Sequence, residues 1–215
     1  MAVKRVLETQ HKTTLMGDYK ELTDEEQELY NKINTDGICA ITDEGLECSI
    51  DKNGKHFIAI QVPVGTADAH GKITVDTFTT TWYYPNKIIK QLEETFPNSR
   101  IFAMDEFPTV PHNWILVNEN IDFDDVILIS FMDGKAYQGE ELFSSRFVTA
   151  VKALQITDRV SAILHFGNPF PLEALPHIPR VIIGGHSEKS VETGVKVLAG
   201  DYPAKGVMTY DVKLK

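Results

Sequence analysis

Short runs of almost wholly apolar residues, each followed by a segment with helical spacing, constrain this chain more than any other feature. Residues 125–131 (DVILISF), 159–166 (RVSAILHF) and 180–185 (RVIIGG) are too short for helices that bury apolar residues on every side, and they are rich in β-branched residues. A strand that is apolar at successive positions has two faces to bury. That is the pattern of a mostly parallel sheet covered by helices on both sides. The intervening segments supply the cover. Ile88, Ile89, Leu92 and Phe96 share one face of a helix over 86–96, and Phe143, Phe147, Ala150, Val151 and Leu154 do so over 139–155. A last helix over 187–199 carries Val191, Val195 and Leu198.

With strands at 38–42, 56–62, 100–104, 125–131, 159–166 and 180–185, the pattern predicts a three-layer α/β/α sandwich. Its sheet is about six-stranded and mostly parallel, in a flavodoxin-like layout. The polar stretch between the first two strands contains Asn53-Gly54, a hairpin-turn signal, and leaves little room for a crossover helix. These two strands are expected to run antiparallel and to make an antiparallel edge. Residues 1–36 read as a helical segment packing on the domain of residues 37–215. Val3, Val6 and Leu7 lie on one face of a helix over 2–16, and Thr23 and Glu26 have the spacing of a capping box before Leu29, Tyr30 and Ile33.

Composition narrows the partners. The chain has 31 acidic and 21 basic residues among 215, a formal charge of −10, which disfavours nucleic acid and anionic membrane surfaces. No apolar run approaches the roughly 18 residues of a membrane span, and the first residues lack the apolar core of a signal peptide. A cytoplasmic location is expected for the chain as written. Cys39 and Cys48 have neither zinc nor redox spacing, and a disulfide between them is possible but not implied. No metal site or cofactor is expected.

The densest stretch is 158–206. Its strand stops at Gly167, Asn168 and Pro169, a second strand ends in Gly184-Gly185, Ser187 is placed to cap a helix, and Gly200 to end it. The double glycine before a helix suggests an anion cradle, but it lacks the phosphate-binding glycine spacings, and a tight turn is the reading it supports. His165 reads as an internally bonded strand residue, His186 as a helix cap and Cys39 as a buried thiol. The order strand, Gly167-Asn168-Pro169, prolyl linker, strand and helix, closing on Leu198, Gly200, Asp201, Pro203 and Gly206, resembles the C-terminal α/β sandwich domain of family 3 glycoside hydrolases. It is most similar to the branch of bacterial β-N-acetylglucosaminidases. Where that family continues Lys-Leu-Pro-Val, this chain has Val207, Met208, Thr209 and Tyr210.

The resemblance implies a catalytic (β/α)8 barrel elsewhere, as a partner in the same or a separate chain, and carbohydrate as its substrate. A barrel takes roughly 250 residues and supplies groups on both sides of the glycosidic bond. Neither the family's Lys-His-Phe-Pro-Gly-His-Gly loop nor its Gly-x-x-Asp nucleophile segment occurs here. The β-glucosidase branch lends an acid/base glutamate from this domain, which makes Glu106, Glu119, Glu140 and Glu141 candidates; none sits in a matching motif, and none is assigned a catalytic role. Asp105 and Glu106 stand where open α/β sheets place ligands, and Trp82, with Tyr83 and Tyr84, reads as core or as a sugar-stacking rim. The expected function is an auxiliary domain, carrying no catalytic residue of its own. The alternative is an independent α/β domain that binds a sugar or nucleotide.

Overall fold

The computed structural model describes residues 22–74, 85–132, 143–185 and 187–208. The chain divides into two compact units, 1–32 and 33–215. In the described part of the first, Thr23 and Glu26 form the expected capping box: the Thr23 amide donates to Glu26 Oε2 at 2.8 Å, and the Glu26 amide to Thr23 Oγ1 at 3.3 Å. This box opens helix α1, Asp24–Asp36, which buries no residue.

The larger unit holds a six-stranded sheet: β1 (Cys39–Thr42), β2 (His56–Val62), β3 (Arg100–Asp105), β4 (Asp125–Met132), β5 (Val160–Gly167) and β6 (Arg180–Gly184). Helices α2 (Pro85–Thr95), α3 (Val110–Asn118), α4 (Ser145–Gln155) and α5 (Glu188–Leu198) complete it. The spatial order is β1-β6-β5-β4-β2-β3, and every pairing is parallel except β1 with β6. Numbered by themselves, the five parallel strands run 2-1-3-4-5, the flavodoxin-like order. The expected sandwich and its antiparallel edge are therefore present.

One pairing differs from expectation. β1 lies against β6, with Cys39 opposite Ile183, and β2 sits between β3 and β4, so the two strands do not form a hairpin. The turn at Asn53-Gly54 exists, with the Gly54 amide donating to the Asp51 carbonyl at 3.2 Å. Its glycine serves another purpose. A Cβ there would lie 2.6 Å from Nε2 of His56, so the residue is small to let the ring pass. α3 and a 3₁₀ turn at Phe170–Ala174 are further elements.

Each sheet face has its own core. Ile58, Ile60, Leu164 and Phe166 pack with Leu92 of α2 and Val191 and Val195 of α5. Phe57, Phe102 and Leu128 pack on the other face with Leu116 of α3 and Phe147 and Val151 of α4. The free edge of β3 is covered rather than left open to pairing: the Ala103 amide donates to Gly71 at 3.0 Å, and His112 of α3 donates to Asp68 of the same loop at 2.7 Å.

The tail closes the opposite edge. α5 ends in a Schellman motif: Gly200 has φ +77°, its amide donates to Val197, and the Asp201 amide reaches Lys196. Asp201 pairs with Lys52, the Tyr202 hydroxyl donates to Asp36 at 2.7 Å, and Lys205 meets the same carboxylate at 2.8 Å. The bond to Asp36, and a second from Lys205 to the Tyr202 hydroxyl at 2.8 Å, push the Lys205 pKa up to about 12. Gly206 then donates to the Ile38 carbonyl and bridges Cys39, directly against the chain. The family-like run from Leu198 to Gly206 is a clasp on β1.

Two stability measurements test this account. A Cβ at Gly206 would lie 2.6 Å from the Gly37 carbonyl oxygen and 2.8 Å from Cys39 Sγ, and backbone cannot yield as a side chain can. Gly206→Ala should cost about 1–3 kcal/mol, a fall in Tm of roughly 2–12 °C for a chain of this size. Gly185→Ala, with nothing nearer than 3.7 Å, is the control expected to change little.

His56 gives a pH test. It is buried, with Nδ1 2.6 Å from Asp125 and Nε2 2.7 Å from the Asp51 carbonyl. Burial pulls its pKa down, but those two hydrogen bonds and the charges of Asp125 and Asp124 outweigh burial and hold it above its ordinary value. A raised folded-state pKa stabilises the fold fully below the unfolded value of about 6.5 and loses that contribution as pH rises through the folded value. The stability lost in His56→Gln should thus be larger at acidic than at alkaline pH in urea titrations. A pH-independent loss would refute the charged pairing.

Candidate functional site

In a doubly wound sheet the ligand position is the carboxyl edge of the strands, where successive loops leave in opposite directions. Here that edge is formed by the residues after Val62, Asp105, Met132, Gly167 and Gly184. Segments 75–84 and 133–142, which include Trp82, Glu140 and Glu141, lie outside the described residues, as does His186.

Asp105 ends β3 opposite Val62 and shares its face, the one covered by α2 and α5. It is only 7% exposed, and its Oδ1 has no hydrogen-bond partner among the described residues. Thr66, in the loop that follows β2, is 1% exposed, and its hydroxyl is likewise without a partner among the described residues. Glu106 is exposed, and its amide donates to the Val62 carbonyl at 3.0 Å. Glu119 lies beyond α3 in an ion pair with Arg100 at 2.7 Å, away from the edge.

The Gly167-Asn168-Pro169 loop is built around His165. The ring is fully buried on the α3/α4 face. Its Nε2 donates to the Asn168 carbonyl at 2.7 Å, and its Nδ1 meets the Ser130 hydroxyl at 2.8 Å. Gly167 takes φ +108°, the Asn168 amide donates to Met132 at 3.1 Å, and Asn168 Oδ1 accepts from Phe170. Every polar group named is engaged within the loop and the sheet. β5 lies three strands from β3, roughly 14 Å at ordinary strand spacing, so the loop and Asp105 are not brought together.

The double glycine behaves as a turn. The Gly185 amide donates to Ser190 Oγ at 2.9 Å, and Ser187 Oγ accepts from the Ser190 amide at 3.0 Å as the helix cap. Ser187 also donates to Asn34 at 2.6 Å. Cys39 is a buried free thiol whose pKa is raised by burial. Cys48 is also free, its pKa raised by burial against the opposing charge of Arg180. A groove of about 310 Å³ between α2 and α5 has a paired lining: Lys87 with Glu188, and Lys196 with Glu192. Among the described residues no group of three or more His, Cys, Asp or Glu could hold a metal, and no helix is long and apolar enough to cross a membrane.

Of the predicted rim residues, then, Asp105 is the one with a buried polar atom that has no partner among the described residues, and Thr66 in the loop after β2 is another such residue. Nothing in the sequence marks Thr66, which sits in a Gly-Thr-Ala-Asp segment that reads as an ordinary solvated turn.

No sequence-family model matches the chain, and no curated protein matches it. Solved structures do. A family 3 β-N-acetylglucosaminidase from Paenibacillus sp. strain FPU-7 superposes with a TM-score of 0.64 at 17% identity, over 99% of this chain and 39% of its own. A β-glucosidase from Listeria innocua gives 0.56 at 14% identity, over 84% of this chain and 26% of its own. A β-glucoside phosphorylase gives 0.55 at 17% identity, over 89% and 32%. This chain thus spans about a quarter to two-fifths of the length of these proteins. It has the α/β sandwich fold found in family 3 glycoside hydrolases, in agreement with the resemblance carried by residues 158–206.

Proposed function

We propose that this chain is the auxiliary C-terminal sandwich of a family 3 glycoside hydrolase of the β-N-acetylhexosaminidase type, acting in carbohydrate metabolism by packing against a catalytic (β/α)8 barrel. The observation that carries this reading is the asymmetry of coverage: nearly all of this chain matches about two-fifths of the Paenibacillus enzyme. The engagement of His165, Asn168 and Gly185 in internal bonds also supports it, since the family-like motif then builds the frame and leaves chemistry to the barrel. Leu29, Tyr30 and Ile33 of α1, 58%, 47% and 62% exposed, are suited to an apolar contact with such a domain. Pure 215-residue protein should turn over an aryl N-acetylglucosaminide no faster than the buffer blank. Hydrolysis abolished by Glu106→Gln would sink the proposal.

A second reading rests on Asp105 and Thr66. Two buried polar groups without partners at the carboxyl edge favour a ligand whose hydroxyl or amino groups would complete them. An unsatisfied buried group costs about 1–3 kcal/mol, so Asp105→Leu should raise the Tm in the absence of ligand. A thermal-shift screen over amino sugars, muropeptide fragments and nucleotides tests the binding itself, because a ligand well above its Kd stabilises the fold. A shift in the wild type that vanishes in Asp105→Leu supports this reading; no shift with any ligand removes it.

A further inference from the structure

The turn at Asn53-Gly54 is not a hairpin and takes no part in the carboxyl edge, yet it brings together the groups of a chemical reaction. Asn-Gly occurs once in the sequence. Asn53 is exposed, so its side-chain amide can swing toward the main chain. Gly54 has no Cβ to shield its amide nitrogen from that approach. A five-membered ring then joins the side-chain carbon of Asn53 to that nitrogen. What opposes closure is the set of hydrogen bonds that fixes the turn. The Gly54 amide donates to the Asp51 carbonyl at 3.2 Å, the Asn53 amide to Asp51 Oδ1 at 3.0 Å, and Asn98 Nδ2 to the Asn53 carbonyl at 2.9 Å.

We propose that Asn53 is a modification site, where the side-chain amide is exchanged for a carboxylate through a cyclic imide with Gly54 at a rate set by opening of this turn. In the first step the Gly54 nitrogen bonds to Asn53 Cγ, the Cγ–Nδ2 bond breaks, and the Gly54 amide proton leaves with that nitrogen as ammonia. Water then opens the imide. Addition at Cγ gives aspartate, and addition at the main-chain carbonyl carbon gives isoaspartate, in which the chain runs on through Cβ and Cγ. One water is consumed, one ammonia is released, and nothing is oxidised or reduced.

The consequence falls on His56. A Cβ at Gly54 would lie 2.6 Å from Nε2 of that ring and 2.7 Å from Cε1, so the main chain already passes as close as it can. The same ring bonds the Asp51 carbonyl at 2.7 Å and Asp125 at 2.6 Å. Isoaspartate inserts a methylene immediately before Gly54, and turn and ring then cannot both keep their places. The new carboxylate also joins Asp51 in the turn and Asp124, whose Oδ2 accepts from the Lys55 amide, and like charges repel. The neutral residue is the one that fits.

Incubation of the full chain in mildly alkaline buffer, followed by peptide mass spectrometry that separates asparagine, aspartate and isoaspartate at position 53, tests the proposal. Both products should accumulate in the folded protein, more slowly than in the same chain unfolded in urea. Asn98→Ala and Asp51→Ala each remove one bond that fixes the turn, and each should raise the folded rate about two- to tenfold, the value of one hydrogen bond, with no effect in urea. As isoaspartate accumulates the Tm should fall. Asn53→Gln, which would have to close a larger ring, should keep both residue 53 and its Tm. A folded chain that retains Asn53 while the unfolded chain is converted overturns the proposal, as do equal rates in the two states. So do folded rates that neither variant raises, or aspartate formed without isoaspartate, the mark of direct hydrolysis.

Discussion

The ring of Phe166 fixes where the last strand and helix can lie. It is fully buried at the end of β5 and stacks on Phe131 of β4 at 5.3 Å. A Cβ at Gly184 would lie 2.9 Å from the ring, and one at Gly194 2.8 Å, so β6 and α5 reach it only as glycines. Glycine inside a helix is about 1 kcal/mol worse than alanine. Burying a phenylalanine side chain returns about 1.5–3 kcal/mol, so packing wins and the helix tolerates its weak residue. With α5 seated this way, Gly200 can end it, the tail turns back, and Gly206 lies against Cys39. The antiparallel edge strand is thus held by β6 on one side and by the clasp on the other.

The strands were legible because a parallel sheet buries both faces, which leaves an unbroken apolar run in the sequence. Pairing was not legible to the same degree. Asn53-Gly54 is a real turn, yet it leads β1 and β2 to positions separated by three other strands. A turn signal reports local backbone, whereas the neighbour of β1 is chosen by the distant clasp and by β6. The glycine itself answers to the His56 ring. α3 escaped for two physical reasons. Its cap is a box closed by His112, not by the glutamate or glutamine that marks such boxes in sequence, with Thr109 Oγ1 accepting at 3.4 Å. Its outer side is apolar, so the contrast that reveals a helical period is missing.

The stretch at 158–206 was legible as a label and not as a mechanism. Its glycines and Pro169 do what their backbone chemistry implies: a positive φ at Gly167, a tight turn at Gly184-Gly185 and a Schellman cap at Gly200. What could not be read is that Ser130, 35 residues before His165, meets its ring, because register between β4 and β5 sets that pair. The same holds for Asp105. Its place at a strand end was visible, but its burial and its lack of a partner depend on the loop after β2 and on packing against Val62.

Among the described residues, the lack of a partner at Asp105 Oδ1 is shared by Thr66 Oγ1, Asn113 Oδ1 and Ser161 Oγ, whereas the buried histidines and Gln61 are matched. His56 has Asp125 and the Asp51 carbonyl, His112 has the Asp68 carbonyl, His165 has Ser130 and Asn168, and Gln61 accepts from the Phe131 amide. These groups knit the sheet to its loops and cost the fold little, since each bond replaces one to water. An aspartate oxygen without a bond has the opposite sign. Asp105 stands at the carboxyl end of β3, an outermost strand, and Thr66 in the loop that follows β2. The glycines of the family-like stretch are consumed in building the fold: Gly184 and Gly194 admit the Phe166 ring, and Gly200 ends α5.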